Sequence, residues 1–260
     1  MTDDLTPANT IFGVKEFPKE QLIPNKSYMI FSHTIKAQPY NMAFLDACIA
    51  NNVRLFDYET IRAPVLPNGT GGGRLVAFGK FAGMAGMIDC FRGVGERLLS
   101  LGYSSPFMGI SSAYMYPDLP TATAALKKAG EEIAELGLPP QIAPMRFVFT
   151  GTGNVAQGAR EMFELFPHKY VTPAELATLP PNPHVLYGCV VEAKDMVEPI
   201  DPSKKFDKKE YYENPQLYRP IFHERIAPHT NVLVNWSVQL RRHHTDAANT
   251  RHKHASYYSL

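Results

Sequence analysis

The sequence predicts an α/β fold built on parallel sheet, on three observations. Short β-rich runs alternate with longer helical patterns along the chain. One apolar run, from Met145 to Thr150, passes straight into a glycine turn and an amphipathic helix. The chain has 260 residues and is 45% apolar, enough for one large core or two modest ones.

The elements follow in order. Ile11 to Val14, Tyr28 to Ser32, Val53 to Phe56 and Leu75 to Phe78 have the composition and length of strands, and Met42 to Ala50 reads as a helix between them. From Met84 to Leu101 a second helix carries Met87, Phe91, Val94, Leu98 and Leu101 at spacings of three and four, a stripe that belongs to a core. Asn68 to Gly73 is glycine-rich, but no Lys-Ser or Lys-Thr follows it, so it reads as a flexible surface loop. Pro120 to Gly137 is a helix with proline near its start and glycine at its end, read as a connector between domains. Further strands are expected at Lys169 to Thr172, Val185 to Val191 and Asn231 to Val234. The charged, Tyr- and Pro-containing stretch from Asp195 to Arg225 reads as surface structure. These elements give two Rossmann-like domains, a substrate-side domain over 1–140 and a partial dinucleotide-binding domain over 141–235.

Composition excludes several function classes. With 26 basic and 25 acidic side chains the formal charge is +1, which leaves no electrostatic footprint for nucleic acid or an anionic membrane. Cys48, Cys90 and Cys189 are few and far apart, which suits small core residues in a reducing compartment rather than a disulfide framework or a zinc site. No run approaches the roughly 18 apolar residues of a membrane helix, and Met1-Thr-Asp-Asp4 has no features of a signal peptide. The expected setting is intracellular, mitochondrial or cytoplasmic, with no targeting segment visible.

The glycine turn is the strongest chemical signal. In Gly151-Thr-Gly-Asn-Val-Ala156 the first glycine allows a tight turn, Gly153 lets a pyrophosphate approach the backbone, and Ala156 permits close helix–strand packing. Asn154, Val155 and Ala156 open a helix whose free N–H groups and positive dipole end favour an anion. The same pattern also fits a glycine turn with no ligand. Two polar residues stand where strands end, Lys15 and His33, and a lysine with an imidazole can exchange protons in amine or carbonyl chemistry. They equally fit a surface lysine and a hydrogen-bonded histidine. The glycines of Gly79-Lys-Phe-Ala-Gly-Met-Ala-Gly86 serve either backbone approach to a substrate or helix packing.

Five motifs in order carry a resemblance: Phe12-Gly-Val-Lys-Glu-Phe-Pro18, Phe31-Ser-His-Thr-Ile-Lys-Ala-Gln-Pro-Tyr-Asn41, Arg54-Leu-Phe-Asp-Tyr-Glu59, Val76 to Asp89, and Phe147-Val-Phe-Thr-Gly-Thr-Gly-Asn-Val155. From about Leu5 to Val234 the chain resembles the lysine–ketoglutarate reductase region of the bifunctional aminoadipic semialdehyde synthases, within the alanine dehydrogenase, transhydrogenase and saccharopine dehydrogenase group. The resemblance implies an oxidoreductase of lysine degradation. The ε-amine of lysine and the ketone of 2-oxoglutarate would condense to an imine, which takes hydride from a reduced nicotinamide to give saccharopine. It implies proton transfer by Lys15 and His33, and a substrate cleft lined by Gln38, Glu59, Arg74 and Phe78. Arg74 would bind a carboxylate through its guanidinium fork, though alone it also fits a solvated strand-edge arginine.

NADPH is expected over NADH, because the second strand after the glycine turn, His168-Lys-Tyr-Val-Thr172, has no acid to bind ribose hydroxyls. Val171 stands where the saccharopine dehydrogenases have aspartate, and Lys169 or His168 could meet a 2′-phosphate.

Relatives of this group extend beyond both ends of the resemblance. Residues 236–260 are polar and basic and read as a disordered tail; its His243, His244, His252 and His254 lack the acidic or thiol partners of a metal site. An incomplete gene model, with a missed upstream exon and a frame shift after Asn235, is the expectation. The longer native chain that this implies has room for a saccharopine-cleaving domain downstream. The alternatives are a non-catalytic remnant of the enzyme, or another amino-acid dehydrogenase of the alanine dehydrogenase type.

Overall fold

A computed structural model describes residues 4–67 and 71–235. Half of the expected loop from Asn68 to Gly73, residues 68–70, and the whole tail 236–260, with its four histidines, lie outside the described residues. The chain divides into two compact units between Phe78 and Gly79.

The first unit is a parallel three-stranded sheet in the order β1-β2-β3, with β1 at Thr10–Lys15, β2 at Ser27–Phe31 and β3 at Arg54–Asp57. Helix α1, Pro39–Ala50, makes the crossover between β2 and β3, and opens on a proline whose missing N–H costs nothing in a first turn. Its Phe44 and Cys48 pack with Ile11, Leu22, Tyr28 and Ile30 in one core. Leu75 to Phe78 is not a strand. It follows an arm whose pairing is limited to isolated bridges, Arg62 with Arg74 and Val65 with Gly71, and no described strand lies beside it.

The second unit starts with two long helices. In α2, Gly79–Ser100, the stripe of Met87, Phe91, Val94 and Leu98 is buried as expected, while Leu101 falls beyond the helix and is exposed. Helix α3, Leu119–Leu136, begins on Asp118, whose carboxylate accepts the Thr121 N–H at 2.8 Å, and ends on Gly137 at φ 76°. It is no mere connector: Ala122, Leu126, Ala129 and Ile133 join α2 and the following sheet in one core. By packing, α2 and α3 share one core with the second sheet, and the compact unit that holds them begins at Gly79.

The second sheet is parallel and ordered β5-β6-β4-β9. Its central strand β4, Met145–Thr150, is followed by α4, Asn154–Phe163, then by the short edge strand β5, His168–Tyr170, and by β6, Leu186–Val191. Burial on both faces explains why β4 reads as an unbroken apolar run. Met145, Phe147 and Phe149 face the core of α2, α3 and α4, and Val148 faces the other side.

What covers that other side is the segment expected to be surface structure. It contains α5 (Ala193–Met196), β7 (Val197–Pro199), α6 (Lys208–Glu213), β8 (Tyr218–Pro220) and α7 (Phe222–Arg225), with β7 and β8 paired antiparallel. Its Met196, Val197, Tyr211 and Tyr218 are buried with Tyr187, Cys189 and Val191 of β6, so the insertion supplies part of a core. The charged residues lie outside: Glu198 pairs with both Arg219 and Arg225, and Arg219 also reaches Glu224. The chain then returns to the sheet as β9, Val232–Asn235, against β4. All three cysteines are buried and free.

Candidate active site

In the first unit the three parallel strands end on the same edge, and each delivers a polar residue there: Lys15 ends β1, Ser32 and His33 follow β2, and Tyr58 and Glu59 follow β3. Carboxyl edges of parallel sheets are where α/β folds bind ligands, because the chain must leave the sheet and its loops converge. Glu59 is the centre of the group. Its side chain is only 1% exposed, yet it meets three cationic or titratable groups: Arg74 Nη1 at 2.8 Å, His33 Nδ1 at 3.1 Å and Lys36 Nζ at 3.4 Å. Burial pushes the Glu59 carboxyl up; the His33 ring, then Lys36 and Arg74, outweigh it and hold the group below its ordinary value.

The local backbone explains how these side chains meet. His33 takes a left-handed conformation, φ 56° and ψ 8°, uncommon for a residue with a Cβ, and starts a tight 3-10 turn over Thr34–Lys36. Residues three apart eclipse in such a turn, so His33 and Lys36 both reach Glu59. The turn is pinned by Ser32, whose hydroxyl donates to Asp57 Oδ2 at 2.7 Å and lies 2.8 Å from the Thr34 hydroxyl. Asp57 Oδ1 in turn accepts the Glu59 N–H at 2.8 Å, so the ends of β2 and β3 are tied by one carboxylate. Behind the imidazole Phe31 lies nearly parallel to the ring, centroids 6.5 Å apart, and Phe78 meets Phe31 edge-on at 5.4 Å.

Of the residues expected from sequence, His33, Glu59, Arg74 and Phe78 are therefore brought together directly or through Phe31. Lys15 is exposed at the adjoining strand end, in register with Phe31, and no hydrogen bond or ion pair among the described residues engages it. Gln38 is exposed and accepts the Tyr40 hydroxyl at 2.6 Å, with no bond to the Glu59 group. Lys36, Ser32 and Asp57 were not singled out. The three-residue spacing between His33 and Lys36 was the available signal for the first.

His33 Nδ1 faces Glu59 without a well-aligned hydrogen bond, and neither atom has another partner. That leaves Nε2 as the nitrogen with work to do elsewhere. Arg74 spends one of its five donors on Glu59 and remains partly exposed, so it retains the fork that binds carboxylates.

The glycine turn lies in the second unit. Gly151 has φ 85°, a conformation that a side chain would strain, and its N–H donates to the Val191 carbonyl at 3.1 Å. Gly153 has an ordinary φ of −74° and caps α4; what matters there is space, since a Cβ at either glycine would meet nothing within 4 Å. This open cradle above the first turn of α4, where Asn154 and Val155 stand, fits the diphosphate of a dinucleotide. Ala156 is buried at 1%. The closest helix contact comes two residues later and involves α2: a Cβ on Gly158 would lie 1.9 Å from the Lys80 carbonyl oxygen, and one on Gly83 1.9 Å from that of Val155. Gly83 therefore serves helix packing.

Comparison with known proteins bears on this arrangement. The alpha-aminoadipic semialdehyde synthase of Arabidopsis thaliana is 46% identical over 248 residues, 90% of this chain and 23% of the relative. Over the shared segment, this chain is similar to the alpha-aminoadipic semialdehyde synthases. The mitochondrial alpha-aminoadipic semialdehyde synthase of Bos taurus is 42% identical over 238 residues, 90% of this chain and 25% of the relative. The chain thus spans about a quarter of the curated relatives it matches. An L-alanine dehydrogenase of known structure is 15% identical with a TM-score of 0.33, covering 70% of this chain and 42% of that one, a likeness that carries no argument. No family model matches. Among the described residues, no helix is long and apolar enough to cross a membrane.

Proposed function

We propose that this chain carries the reductive condensation of L-lysine with 2-oxoglutarate to saccharopine, with residues 1–140 serving the substrates and 141–235 the dinucleotide. The observation that carries the reading is the Glu59-centred group at the carboxyl edge of the first sheet, with the glycine cradle as its counterpart for the cofactor. A nicotinamide dinucleotide is the proposed cofactor; the lack of an acid in β5 favours NADPH, with NADH as the alternative. The setting is mitochondrial or cytoplasmic; the word mitochondrial in the names of the mammalian relatives supports the first.

Attack of the lysine ε-amine on the ketone gives a carbinolamine, whose oxygen must gain a proton before it leaves as water. His33 supplies that proton from Nε2, because Nδ1 is turned to Glu59. Glu59 stays ionised at neutral pH and fixes the imidazole and the Arg74 guanidinium by charge. Arg74 holds a substrate carboxylate through its remaining donors, with Lys36 adding positive potential. Phe78 and Gln38 border the same site. Lys15, free of any partner among the described residues, exchanges the proton of the secondary amine. A reduced nicotinamide at the glycine cradle would supply the hydride, and the imine carbon would receive it.

The test is a steady-state assay of the purified chain with lysine, 2-oxoglutarate and NADPH, alongside Lys15→Met and His33→Ala. Each variant should lose turnover by about 10²–10⁴-fold with little change in NADPH affinity. Wild-type turnover in either variant across the pH range would remove that residue from the chemistry. A wild-type chain that binds NADPH but turns nothing over would favour the non-catalytic alternative.

A further inference from the structure

The expectation that cofactor choice is made at Val171 assumes that β5 runs beside the strand carrying the glycine turn. It does not. On the side of the sheet where β5 lies, the neighbour of β4 is β6, paired over six residues from Met145 with Leu186 to Thr150 with Val191. Gly151, the first glycine of the turn, is bonded to Val191 itself, 3.1 Å from N to O. The residue after Val191 is Glu192.

β5 pairs only with β6, from His168 with Leu186 to Tyr170 with Gly188, and the Val171 N–H donates to the Gly188 carbonyl. Tyr170 is level with Gly188, so Val171 is level with Cys189, two residues short of Val191. At about 3.3 Å per residue that is about 7 Å along the sheet. It is also two strand spacings, about 9.6 Å, across from β4. In dinucleotide-binding sheets the ribose hydroxyls are read by an acid at the end of the strand beside the glycine turn. In this chain that position is Glu192.

We propose that Glu192 reads the adenosine ribose and sets the balance between NADH and NADPH. The inference rests on the reading that a nicotinamide dinucleotide occupies the glycine cradle. The Glu192 side chain is half-exposed, accepts the Asp195 N–H as the cap of α5, and has Lys194 Nζ at 3.2 Å. A carboxylate has about four acceptor positions, so these partners leave room for the ribose hydroxyls. Its negative charge opposes a 2′-phosphate, and it also holds the adjacent Lys194 in an ion pair. Removing the charge acts twice in favour of NADPH: the repulsion ends and Lys194 is released.

The experiment is a fluorescence titration of the purified chain with NADH and with NADPH, in wild type, Glu192→Gln and Val171→Asp. Gln keeps an oxygen that can cap α5, so the fold is preserved. Glu192→Gln should move the ratio of the two affinities about tenfold towards NADPH, and Val171→Asp should leave it where it is. A ratio unmoved by Glu192→Gln overturns the inference, and one moved by Val171→Asp returns the ribose to β5. Failure of the wild type to bind either nucleotide is a different result. It would overturn the cofactor reading, and the inference with it.

Discussion

The contact between α2 and α4 gives the sharpest test of the packing, because two glycines in these helices should respond to the same substitution with opposite sign. An alanine side chain in a helix interior favours folding by about 1 kcal/mol relative to glycine. In α2, Gly93 has nothing within 4 Å of a built Cβ, so Gly93→Ala should realise that gain. In α4, the Cβ of Gly158→Ala would stand 1.9 Å from the Lys80 carbonyl oxygen, 2.8 Å from its carbon and 3.1 Å from Lys80 Cα. These are backbone atoms, and no side-chain rotation relieves them. Ordinary contact begins near 3.4 Å, so α2 would have to withdraw by about 1.5 Å. A gap of about 0.5–1 Å already forfeits a quarter to a half of each dispersion contact along the interface. Overpacking of this kind costs about 1–3 kcal/mol. With the upper part of that range set against the propensity gain, Gly158→Ala should lose about 2 kcal/mol. For a chain of this size that is a fall in melting temperature of about 4–8 °C, against a rise of about 2–4 °C for Gly93→Ala. Thermal unfolding of the three proteins side by side decides it. If Gly158→Ala melts at or above Gly93→Ala, the close approach of α4 to α2 is not real.

Gly153→Val should abolish NADPH binding in a fluorescence titration while leaving the melting temperature nearly unchanged. A Cβ at this position meets no protein atom within 4 Å and the φ of −74° suits any residue, so a stable variant with normal affinity would move the cofactor away from this turn. Glu59, held below its ordinary value of 4.5, contributes stability that is present above that value and lost as pH falls through its lower folded value. Urea midpoints should therefore fall on acidification below about pH 4.5, and Glu59→Gln should flatten that dependence; equal slopes in both proteins would mean that the cluster is not formed in solution. Asp118→Ala, which strips the cap from α3, should lower the melting temperature by about 2–4 °C.

What the sequence disclosed is what depends on neighbours along the chain. Apolar spacing in Met87, Phe91, Val94 and Leu98, the proline and glycine bounding α3, and the strand–glycine–helix passage at Gly151 are all local signals, and each element stands where they put it. His33 was likewise legible as a polar residue at a strand end, and Glu59 was named only by the resemblance. Their meeting was not legible, because it depends on β2 and β3 lying side by side and on Asp57 tying their ends. The segment after α5 misled for a related reason. Its charges belong to an outer layer, and the buried Tyr211 and Tyr218 beneath show no regular period because they come from short elements folded onto a sheet face.

The order of the second sheet shows the limit most clearly, since counting strands along the chain makes β5 the second and invites the assumption that it is also the neighbour. Pairing is decided by burial on both faces instead. β6, with Leu186 turned to the helices and Tyr187, Cys189 and Val191 to the insertion, is apolar on both sides and takes the interior position beside β4. β5 has only three residues, of which His168 and Lys169 are exposed. A strand so short and polar loses least at an edge, where one face and one row of backbone groups can stay hydrated. The apolar run of β6 was visible in the sequence, and weighing it against the polar run of β5 would have put the ribose question to Glu192 rather than to Val171.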